Sequence, residues 1–589
     1  MSTRATTKSR AIKRAAVFAA VAIASASVPF AANAARVPNA AAKPKQGGDI
    51  TVGIFDQVLT TCYTPNVPNS ALGVLKSVME GLVEKKEDGT FVPFLAESFS
   101  NSADFKTWTI KLRSGIKYSN GEDLNAANVV LNLNALAGNL YLAASAKKST
   151  AYDHTAGSGI PFTANLKSVT AVDSMTVQMD LWTAQVDWLD TLYASGRFFM
   201  RSSSSIASKD ECVGGSVGTG PFKFEKVSAT EVKVVRNPNY WRKDASGTQL
   251  PYLNSITFKY VEQPTQRLNG LKSGSLDAAQ FTSAGEVKQI VSVRESSKLG
   301  SIDSADSFFP TFWLNQGIEP FNNKNARLAF AHAWDAATYY KLRNCFKGKC
   351  VGNIPTSIVG PKNVMYNKAG YLKTDIKKSK QFQAAYKADT GKDLTVELTA
   401  TMSAESLANA KAVQQILKKA GIASTINQED GATQVAKAFP GAAAAASGKL
   451  NPYQAYPVLL FEGTGTGFIL PFVSPNVFKE PGNLSTTVKT PLLAVVGMSL
   501  NVTRHADTAL ASLVWDAKAD ITSARPTKLK AVTKYLQENA VVVPTPTLAY
   551  TFGFSSKLQG YSKFKLASGG LGIPMTNAGI NWTGVYVTK

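Results

Sequence analysis

The chain has 589 residues, 44% of them hydrophobic, and a formal net charge of +23 at pH 7. This length exceeds what one hydrophobic core usually serves, so it predicts two or three domains and excludes a single small domain. Beyond the N-terminal region no uninterrupted run of 18 apolar residues occurs, which argues against a membrane span there.

The N-terminal region has the pattern of an export signal. Five positive residues within 4–14 precede an apolar, alanine-rich run over 15–28, and Ala32-Asn33-Ala34 follows. We predict a signal peptide over 1–34, cleaved near Ala34, then a linker over 35–47. The alternative is a membrane anchor, but the run is short for about 30 Å of hydrocarbon. The mature protein is therefore expected in the periplasm or extracytoplasmic space.

The positive charge is scattered along the chain. The densest cluster is only 373–380, which is typical of a solvated face rather than of a polyanion site. A functional basic surface would instead bind polyanions tightly and lose that binding steeply with salt. We predict no nucleic-acid partner.

The cysteines predict disulfide bonds, because an oxidising compartment lets them persist. Cys345 and Cys350 enclose four residues and could pair locally, leaving Cys62 with Cys212. A metal site is the alternative, but the cysteines lack CxxC spacing and the three histidines stand alone in the sequence. We predict no metal and no other cofactor.

The first elements are a strand at 49–55 and a helix with apolar residues at Leu72, Leu75, Met79 and Leu82. Strict alternation over 105–112 then predicts a strand with one face on a core.

Helices and strands continue to alternate to the end of the chain. A helix begins after an N-cap at Asn125 or Asp123. Strands are predicted at 169–180, 221–226, 231–236 and 254–261, a helix at 404–420 that stops at Gly421, and a β-rich run at 540–552. This mixture predicts α/β domains.

Several phrases, in this order, resemble the extracytoplasmic solute-binding proteins for peptides, nickel and related ligands, the receptor subunits of ABC importers, including the oligopeptide- and dipeptide-binding proteins. They are 79–82, 94–98, 108–118, 121–124, 218–222 and 236–241, followed by Asn315, 320–321, Arg327 and 333–335. The resemblance covers nearly the whole mature chain.

The resemblance implies an α/β, two-lobed periplasmic-binding-protein-like fold of type II, in the cluster with an extra subdomain. Mixed sheets flanked by helices would be joined by a two-crossing hinge near 305–310 and 543–547. The implied parts are lobe I at 48–80, 215–306 and 545–589, an inserted subdomain at 81–214, and lobe II at 307–544.

The implied function is that of the substrate-binding subunit of an ABC importer. It would capture a peptide or peptide-like solute between the lobes and deliver it to the importer permease at the membrane, as a non-enzymatic monomer. One alternative is a non-peptide solute on the same fold, such as an oligosaccharide, an opine or a metal chelate. Another is an exported sensory or chaperone-like receptor.

The expected cleft residues follow strands beside the hinge, where such clefts collect ligand contacts. They are Phe55 and Asp56 after the first strand, and Phe312, Trp313 and Asn315 beside the hinge. The alternative for the aromatic residues is an ordinary place in the core.

A further candidate segment, at 462–464, departs from the pattern of the peptide-binding relatives. Peptide-binding relatives carry a Trp and an Asp-Pro phrase in the region aligned with 455–470, where this chain has Glu462, Gly463 and Thr464. Glu462 either replaces the missing charge or is a surface residue. A ligand with a free ammonium group is therefore not assured.

Catalysis is not expected. Residues 214–218 match the nucleophile elbow of serine hydrolases, with Ser216 at its centre, but a strand rather than a helix is predicted next. Residues 463–468 lack the last glycine of a dinucleotide fingerprint. We predict no catalytic residue.

Overall fold

The computed structural model describes residues 43–55, 57–58, 69–137, 163, 165–194, 196–208, 214–282, 285–304, 309–438, 450–460, 503–505, 507–576 and 579–588. The helices are α1 Asn69–Val78, α2 Ala126–Leu136, α3 Trp188–Tyr193, α4 Ser203–Ala207, α5 Pro264–Ser273, α6 Val287–Glu295, α7 Lys324–Ala333, α8 Ala336–Arg343, α9 Ile376–Thr390, α10 Ala404–Lys419, α11 Gly431–Ala438, α12 Thr508–Ala519 and α13 Arg525–Glu538.

The strands up to the first crossing are β1 Asp49–Ile54, β2 Val83–Lys85, β3 Phe91–Pro93, β4 Ala96–Asn101, β5 Thr107–Leu112, β6 Leu166–Ala171, β7 Thr176–Leu181, β8 Phe222–Val227, β9 Glu231–Arg236, β10 Ser255–Tyr260, β11 Ala278–Thr282 and β12 Leu299–Asp303. The later strands are β13 Phe309–Leu314, β14 Cys345–Phe346, β15 Lys349–Cys350, β16 Thr395–Thr401, β17 Ala423–Glu429, β18 Ala455–Leu460, β19 Val542–Pro544, β20 Tyr550–Ser555, β21 Leu558–Gln559, β22 Phe564–Lys565, β23 Leu571–Gly572, β24 Met575–Thr576, β25 Gly579–Ile580 and β26 Tyr586–Val587.

Three larger sheets organise the described residues. Sheet 1 has the order β12-β20-β11-β1-β10-β9-β8, sheet 2 the order β17-β16-β18-β13-β19, and sheet 3 the order β4-β5-β7-β6. In sheet 1, β1 runs parallel to both β10 and β11, while the outer pairs are antiparallel. Mixed sheets of this kind confirm the predicted α/β class.

Sheets 1 and 3 share one hydrophobic core. Trp108 of β5 and Met179 of β7 are buried in the same cluster as Val52 of β1 and Phe258 of β10. The alternation predicted over 105–112 is present, since every second side chain of β5 is buried. The segment that carries sheet 3 therefore forms one packed body with sheet 1.

The chain passes between sheets 1 and 2 twice. β12 of sheet 1 precedes β13 of sheet 2, and β19 of sheet 2 precedes β20 of sheet 1. Residues 305–308 of the first crossing lie outside the described residues, and 545–549 form the second. This two-crossing connection agrees with the predicted fold class.

Most predicted elements are present, and the differences have local causes. Asn125 is the N-cap of α2, because its side chain accepts a hydrogen bond from the Asn128 backbone N–H. Gly421 has φ +84° directly after the Ala420 C-cap of α10, as the helix stop required. The predicted strand at 169–180 is in fact part of the antiparallel hairpin β6–β7. The run at 540–552 is likewise divided, because the second crossing separates β19 from β20.

A buried carboxylate joins three segments that are far apart in sequence. Glu80, 7% exposed, accepts hydrogen bonds from Thr219 Oγ1 at 3.0 Å, Tyr240 Oη at 2.9 Å and Trp241 Nε1 at 2.8 Å. These residues belong to the phrases 79–82, 218–222 and 236–241. Burial raises the pKa of Glu80 to about 7, while the three donors and the charge of Arg242 oppose the shift.

Gly218 and Gly220 are required by close packing and not by an unusual backbone conformation. A Cβ at Gly220 would lie 2.5 Å from the carbonyl carbon of Val78, and one at Gly218 would lie 2.2 Å from its oxygen. The Gly220 N–H donates to this same oxygen at 2.8 Å. Since neither glycine has a positive φ, contact with the end of α1 is the constraint.

The Cys345–Cys350 disulfide is confirmed. It closes the β14–β15 hairpin with a Cα–Cα distance of 4.0 Å. Phe346 and Val351 then pack with residues of α5 and α6, on the sheet 1 side. Cys62 and Cys212 lie outside the described residues, so their pairing stays a prediction.

The raised pKa of Glu80 predicts a pH-dependent stability. Folding takes up a proton on Glu80 between its unfolded pKa near 4.5 and its folded value of about 7. The free energy of unfolding should therefore fall as pH rises through this window, by up to about 3 kcal/mol from this group. Glu80→Gln should remove this part of the slope, measured by urea unfolding at pH 4.5 and pH 7.

The control is Glu97→Gln, which removes a 52% exposed carboxylate paired with Lys111. It should keep the wild-type slope. If wild type and Glu80→Gln differed in stability by the same amount at pH 4.5 and at pH 7, the pH dependence would not come from Glu80.

Gly220→Ala should destabilise the fold by about 1–3 kcal/mol, because its Cβ would collide with backbone that cannot move away independently. Gly214→Ala is the matched control, since a Cβ there meets nothing within 4 Å. Thermal unfolding of the two variants side by side measures the difference. Equal melting temperatures would show that the contact with Val78 is not tight.

Candidate functional site

The candidate site lies where sheet 2 opens beside the second crossing. β16 and β18 run parallel, and their pairing within the described residues is limited to Leu398 and Ala455. Pro457, two residues further along β18, has no N–H to continue the ladder. Ligand sites commonly form at the carboxyl ends of parallel strands where neighbouring strands separate.

A cavity of about 240 Å³ occupies this opening. We call it the crossing cavity. It is lined by Pro310, Phe312, Tyr339, Arg343, Asn344, Leu398, Thr399, Ser406, Asn409, Ala410, Val413, Ala455, Pro457, Thr545, Pro546 and Leu548. The lining thus combines sheet 2, α8, α10 and the second crossing, with apolar walls and a few polar groups.

Arg343, at the end of α8, supplies a positive charge to the cavity lining. Its Nε donates to Asn409 Oδ1 at 2.7 Å, and its Nη2 forms an ion pair with Glu405. The Arg343 side chain is 20% exposed and that of Glu405 42% exposed. Burial lowers the pKa of Arg343, with Tyr339 opposing the shift. Asn409 and Glu405 therefore hold the guanidinium in place while part of it stays accessible.

Thr399 supplies an unused hydrogen-bonding group. The residue is 6% exposed, and its Oγ1 has no hydrogen-bond partner among the described residues. A buried hydroxyl without a partner costs about 1–3 kcal/mol, so such groups are uncommon without a role. A polar ligand atom in the crossing cavity would satisfy it.

The second crossing is held by hydrogen bonds from the segment between α7 and β16. Thr547 exchanges hydrogen bonds with Asn353, and its carbonyl accepts from Asn344 Nδ2 at 3.2 Å. The Trp334 indole N–H donates to the Pro544 carbonyl at 3.0 Å. The cavity wall formed by 545–548 is thereby held in one position.

The structure separates the predicted cleft residues. Phe312 lines the crossing cavity. Phe55 lies at the end of β1 and stacks on Tyr550, which follows the second crossing, with centroids 6.0 Å apart. Both lie beside the crossings, and their contact with a ligand stays a prediction.

Trp313 and Asn315, two other residues that were predicted to line the cleft, are buried inside the protein instead. Trp313 is fully buried beneath α12 and α13, and its indole N–H donates to Thr311 Oγ1 at 2.7 Å. Asn315, also fully buried, donates through Nδ2 to the carbonyls of Asn451 and Tyr453. The strand alternation of β13 explains this, because Phe312 and Trp313 face opposite sides of sheet 2. Neither lines the crossing cavity.

The remaining predicted residues, Asp56 and Glu462 with Gly463 and Thr464, lie outside the described residues. They stay predictions.

Sequence reasoning did not find Arg343, Thr399 or Asn409. Arg343 could have been suspected only from its place two residues before Cys345. Thr399 and Asn409 carry no sequence signal. Thr399 is one polar residue of a strand and Asn409 one of a helix, and their spacing in the sequence matches no motif. Their approach depends on how α10 packs on β16.

Ser216 does not have the surroundings of a catalytic serine. It is buried and precedes strand β8, whereas a nucleophile elbow requires a helix. Among the described residues, no three His, Cys, Asp or Glu side chains form a group that could hold a metal ion.

A larger cavity of about 750 Å³ lies elsewhere, among Trp241, Arg242, Tyr252, Phe564 and Tyr586. Its described lining includes neither sheet 2 nor a crossing. It therefore does not lie beside the connection between sheets 1 and 2, where the crossing cavity lies.

The fold is that of the type II periplasmic binding proteins. The structure matches the protein AgaA of A. tumefaciens R10 in complex with agropinic acid with a TM-score of 0.71 and 20% identity, over 92% of this chain and 99% of that one. It matches the oligopeptide-binding protein AppA of Bacillus subtilis, in complex with a nonapeptide, with a TM-score of 0.70 and 17% identity, over 93% and 100%.

The chain belongs to family 5 of the bacterial extracellular solute-binding proteins. Residues 90–468 match the family description "Bacterial extracellular solute-binding proteins, family 5 Middle". This confirms the family inferred from the sequence phrases. Among the described helices, none combines the length and apolarity that a membrane span requires.

Curated relatives match over part of their length. The nickel-binding periplasmic protein of Escherichia coli K12 is 29% identical over 36% of this chain and 37% of that protein. The glutathione-binding protein GsiB of Pectobacterium atrosepticum is 28% identical over 51% of this chain and 54% of that protein. The matches thus span about a third to a half of these relatives.

Because the Thr399 hydroxyl has no partner among the described residues, we predict that Thr399→Val lowers the affinity for solute without lowering the stability of the fold. Removing an unsatisfied buried hydroxyl should leave the free energy of unfolding unchanged or raise it by about 1 kcal/mol. Affinity for the solute that co-purifies with the wild type should fall, because the ligand loses a hydrogen bond. Urea unfolding and calorimetric titration measure the two effects.

Thr311→Val is the matched control, since Thr311 Oγ1 already accepts from Trp313. This variant should lose about 1 kcal/mol of stability. If Thr399→Val were the less stable of the two and bound solute normally, its hydroxyl would have no ligand role.

Proposed function

We propose that the protein is the substrate-binding subunit of an ABC importer, which captures a peptide or peptide-like solute between its lobes and delivers it to a permease. The observation that carries this proposal is the crossing cavity, which combines an accessible guanidinium and an unsatisfied hydroxyl beside the connection between sheets 1 and 2. The family membership supports it.

The chemistry of the cavity favours a ligand with a carboxylate. The partly exposed Arg343 guanidinium can donate to a carboxylate, and such charge-assisted hydrogen bonds are among the stronger polar contacts. One relative is named for glutathione, and fold neighbours are in complex with a nonapeptide, agropinic acid and Ni(L-His). Peptides, opines and amino-acid chelates all carry such a group, so the opine and chelate alternatives remain consistent with Arg343.

Closure would bring the two bodies of the protein around the solute. We propose that 48–80, 215–306 and 545–589 form lobe I, that 81–214 is its inserted subdomain, and that 307–544 form lobe II. Excluding water on closure would strengthen the contact of Arg343 with a carboxylate. Export with cleavage near Ala34 and a monomeric, non-enzymatic state belong to the same proposal.

Mass spectrometry of the solute that co-purifies with the secreted protein tests the function directly. A ladder of peptides would support the peptide proposal, and one opine or chelate would support the alternative ligand class. Protein that carries no solute and binds none from peptide, opine and chelate mixtures would overturn the proposal.

Arg343→Gln should lower affinity for the co-purifying solute by about 10- to 100-fold, because a charge-assisted hydrogen bond is lost. Lys341→Gln is the matched control, as it removes a positive charge from an exposed position on the same helix. Calorimetric titration compares the variants. Equal affinities of both with the wild type would remove Arg343 from the site.

A further inference from the structure

A side-chain contact joins the two bodies of the protein, namely the one that contains sheets 1 and 3 and the one that contains sheet 2. Asp187, directly before α3, forms an ion pair with Arg525 at the start of α13, with Arg525 Nη2 2.7 Å from Asp187 Oδ2. The two residues are 338 positions apart in the chain. Neither lines the crossing cavity.

Each partner is fixed to a different body. The residue after Asp187 is Trp188, which is fully buried in the shared core of sheets 1 and 3 and whose Nε1 lies 3.5 Å from the sulfur of Met179 on β7. On the other side, α12 and α13 pack on sheet 2, where Leu510, Val514, Leu529 and Val532 share a core with Trp313. Any separation of the two bodies must therefore break the ion pair.

The ion pair is largely shielded from water and has a second cation beside it. The side chains of Arg525 and Asp187 are 13% and 11% exposed. Lys518, on α12, is 4% exposed, with its Nζ 4.8 Å from the centre of the Trp515 ring. Burial lowers the pKa of Lys518 to about 8, Asp187 opposes the shift, and Arg525 reinforces it. The Asp187 carboxylate thus acts on two buried cations.

We propose that Asp187, Arg525 and Lys518 form an electrostatic latch that holds the sheet 2 body against sheet 3 in the closed form and so sets the affinity for solute. The latch rests on the proposed function, since closure matters only if a solute is enclosed. In the open form all three charges are hydrated. In the closed form the two cations lose water, and the carboxylate compensates them.

Because Asp187 acts on two cations, replacing Asp187 and replacing Arg525 should have unequal effects on closure. Asp187→Asn removes the carboxylate that, among the described residues, compensates both buried cations, which strongly disfavours closure. Arg525→Gln leaves Asp187 facing Lys518, so one opposite pair remains. The double variant leaves Lys518 alone and should lie between the two. A merely structural contact would give no such order.

The test compares these three variants with the wild type by small-angle X-ray scattering, after bound solute has been removed by partial unfolding and refolding. The radius of gyration should be largest for Asp187→Asn, smaller for the double variant, and smallest for Arg525→Gln and the wild type. Affinity for the co-purified solute should fall at least about tenfold in Asp187→Asn, because closure becomes less favourable.

Two controls keep the result interpretable. Far-ultraviolet circular dichroism must show that each variant is folded, and Lys528→Gln removes a nearby α13 cation that pairs with Asp516 and Asp520. Lys528→Gln should match the wild type in radius and affinity. Equal radii for Asp187→Asn and Arg525→Gln, or an unchanged solute affinity in Asp187→Asn, would overturn the latch. If the wild type binds no solute, the proposed function fails, while the order of the radii still decides the latch.

Discussion

The burial of Glu80 is the constraint on which much of the fold depends. A carboxylate with 7% exposure must find hydrogen-bond donors, and it finds them in Thr219, Tyr240 and Trp241. These contacts bring the end of α1, the start of β8 and the turn after β9 to one point. Because sheets 1 and 3 share a core around this point, the arrangement of both sheets depends on satisfying one buried group.

The same logic explains why the family phrases are informative about fold and silent about ligand. Thr219, Tyr240 and Trp241 satisfy Glu80, the glycines at 218 and 220 allow the contact with Val78, and Asn315 satisfies two backbone carbonyls. Trp334, in a later phrase, holds the backbone of the second crossing. These residues identify the family because the fold requires them. The cavity-lining groups that we propose for the ligand, Arg343 and Thr399, lie outside the phrases.

Sheet 2 has a different role in the proposed function, because it would contribute both the solute site and the closing surface. The end of the pairing between β16 and β18 creates the crossing cavity, and the α12–α13 pair on the same sheet presents Arg525 to Asp187. The crossing cavity is lined by neither Asp187 nor Arg525. In the proposed closure the crossing cavity and Arg525 would be coupled, because both belong to the body that contains sheet 2, so a contact remote from the ligand would change its affinity.

The sequence by itself determined the α/β class, the family, most strands and helices, and the Cys345–Cys350 disulfide. The family follows from the ordered phrases that resemble its members. The other features follow from local periodicity, from capping residues such as Asn125, and from short-range cysteine spacing, all of which act within a few residues. Only the tertiary structure decided that Phe312 lines a cavity while its neighbour Trp313 belongs to the core, because alternation gives two faces without saying which covers a site. It likewise decided the position of Arg343 at the crossing cavity and the pairing of Asp187 with Arg525. Contacts between residues hundreds of positions apart depend on how whole sheets pack, and no local pattern encodes that.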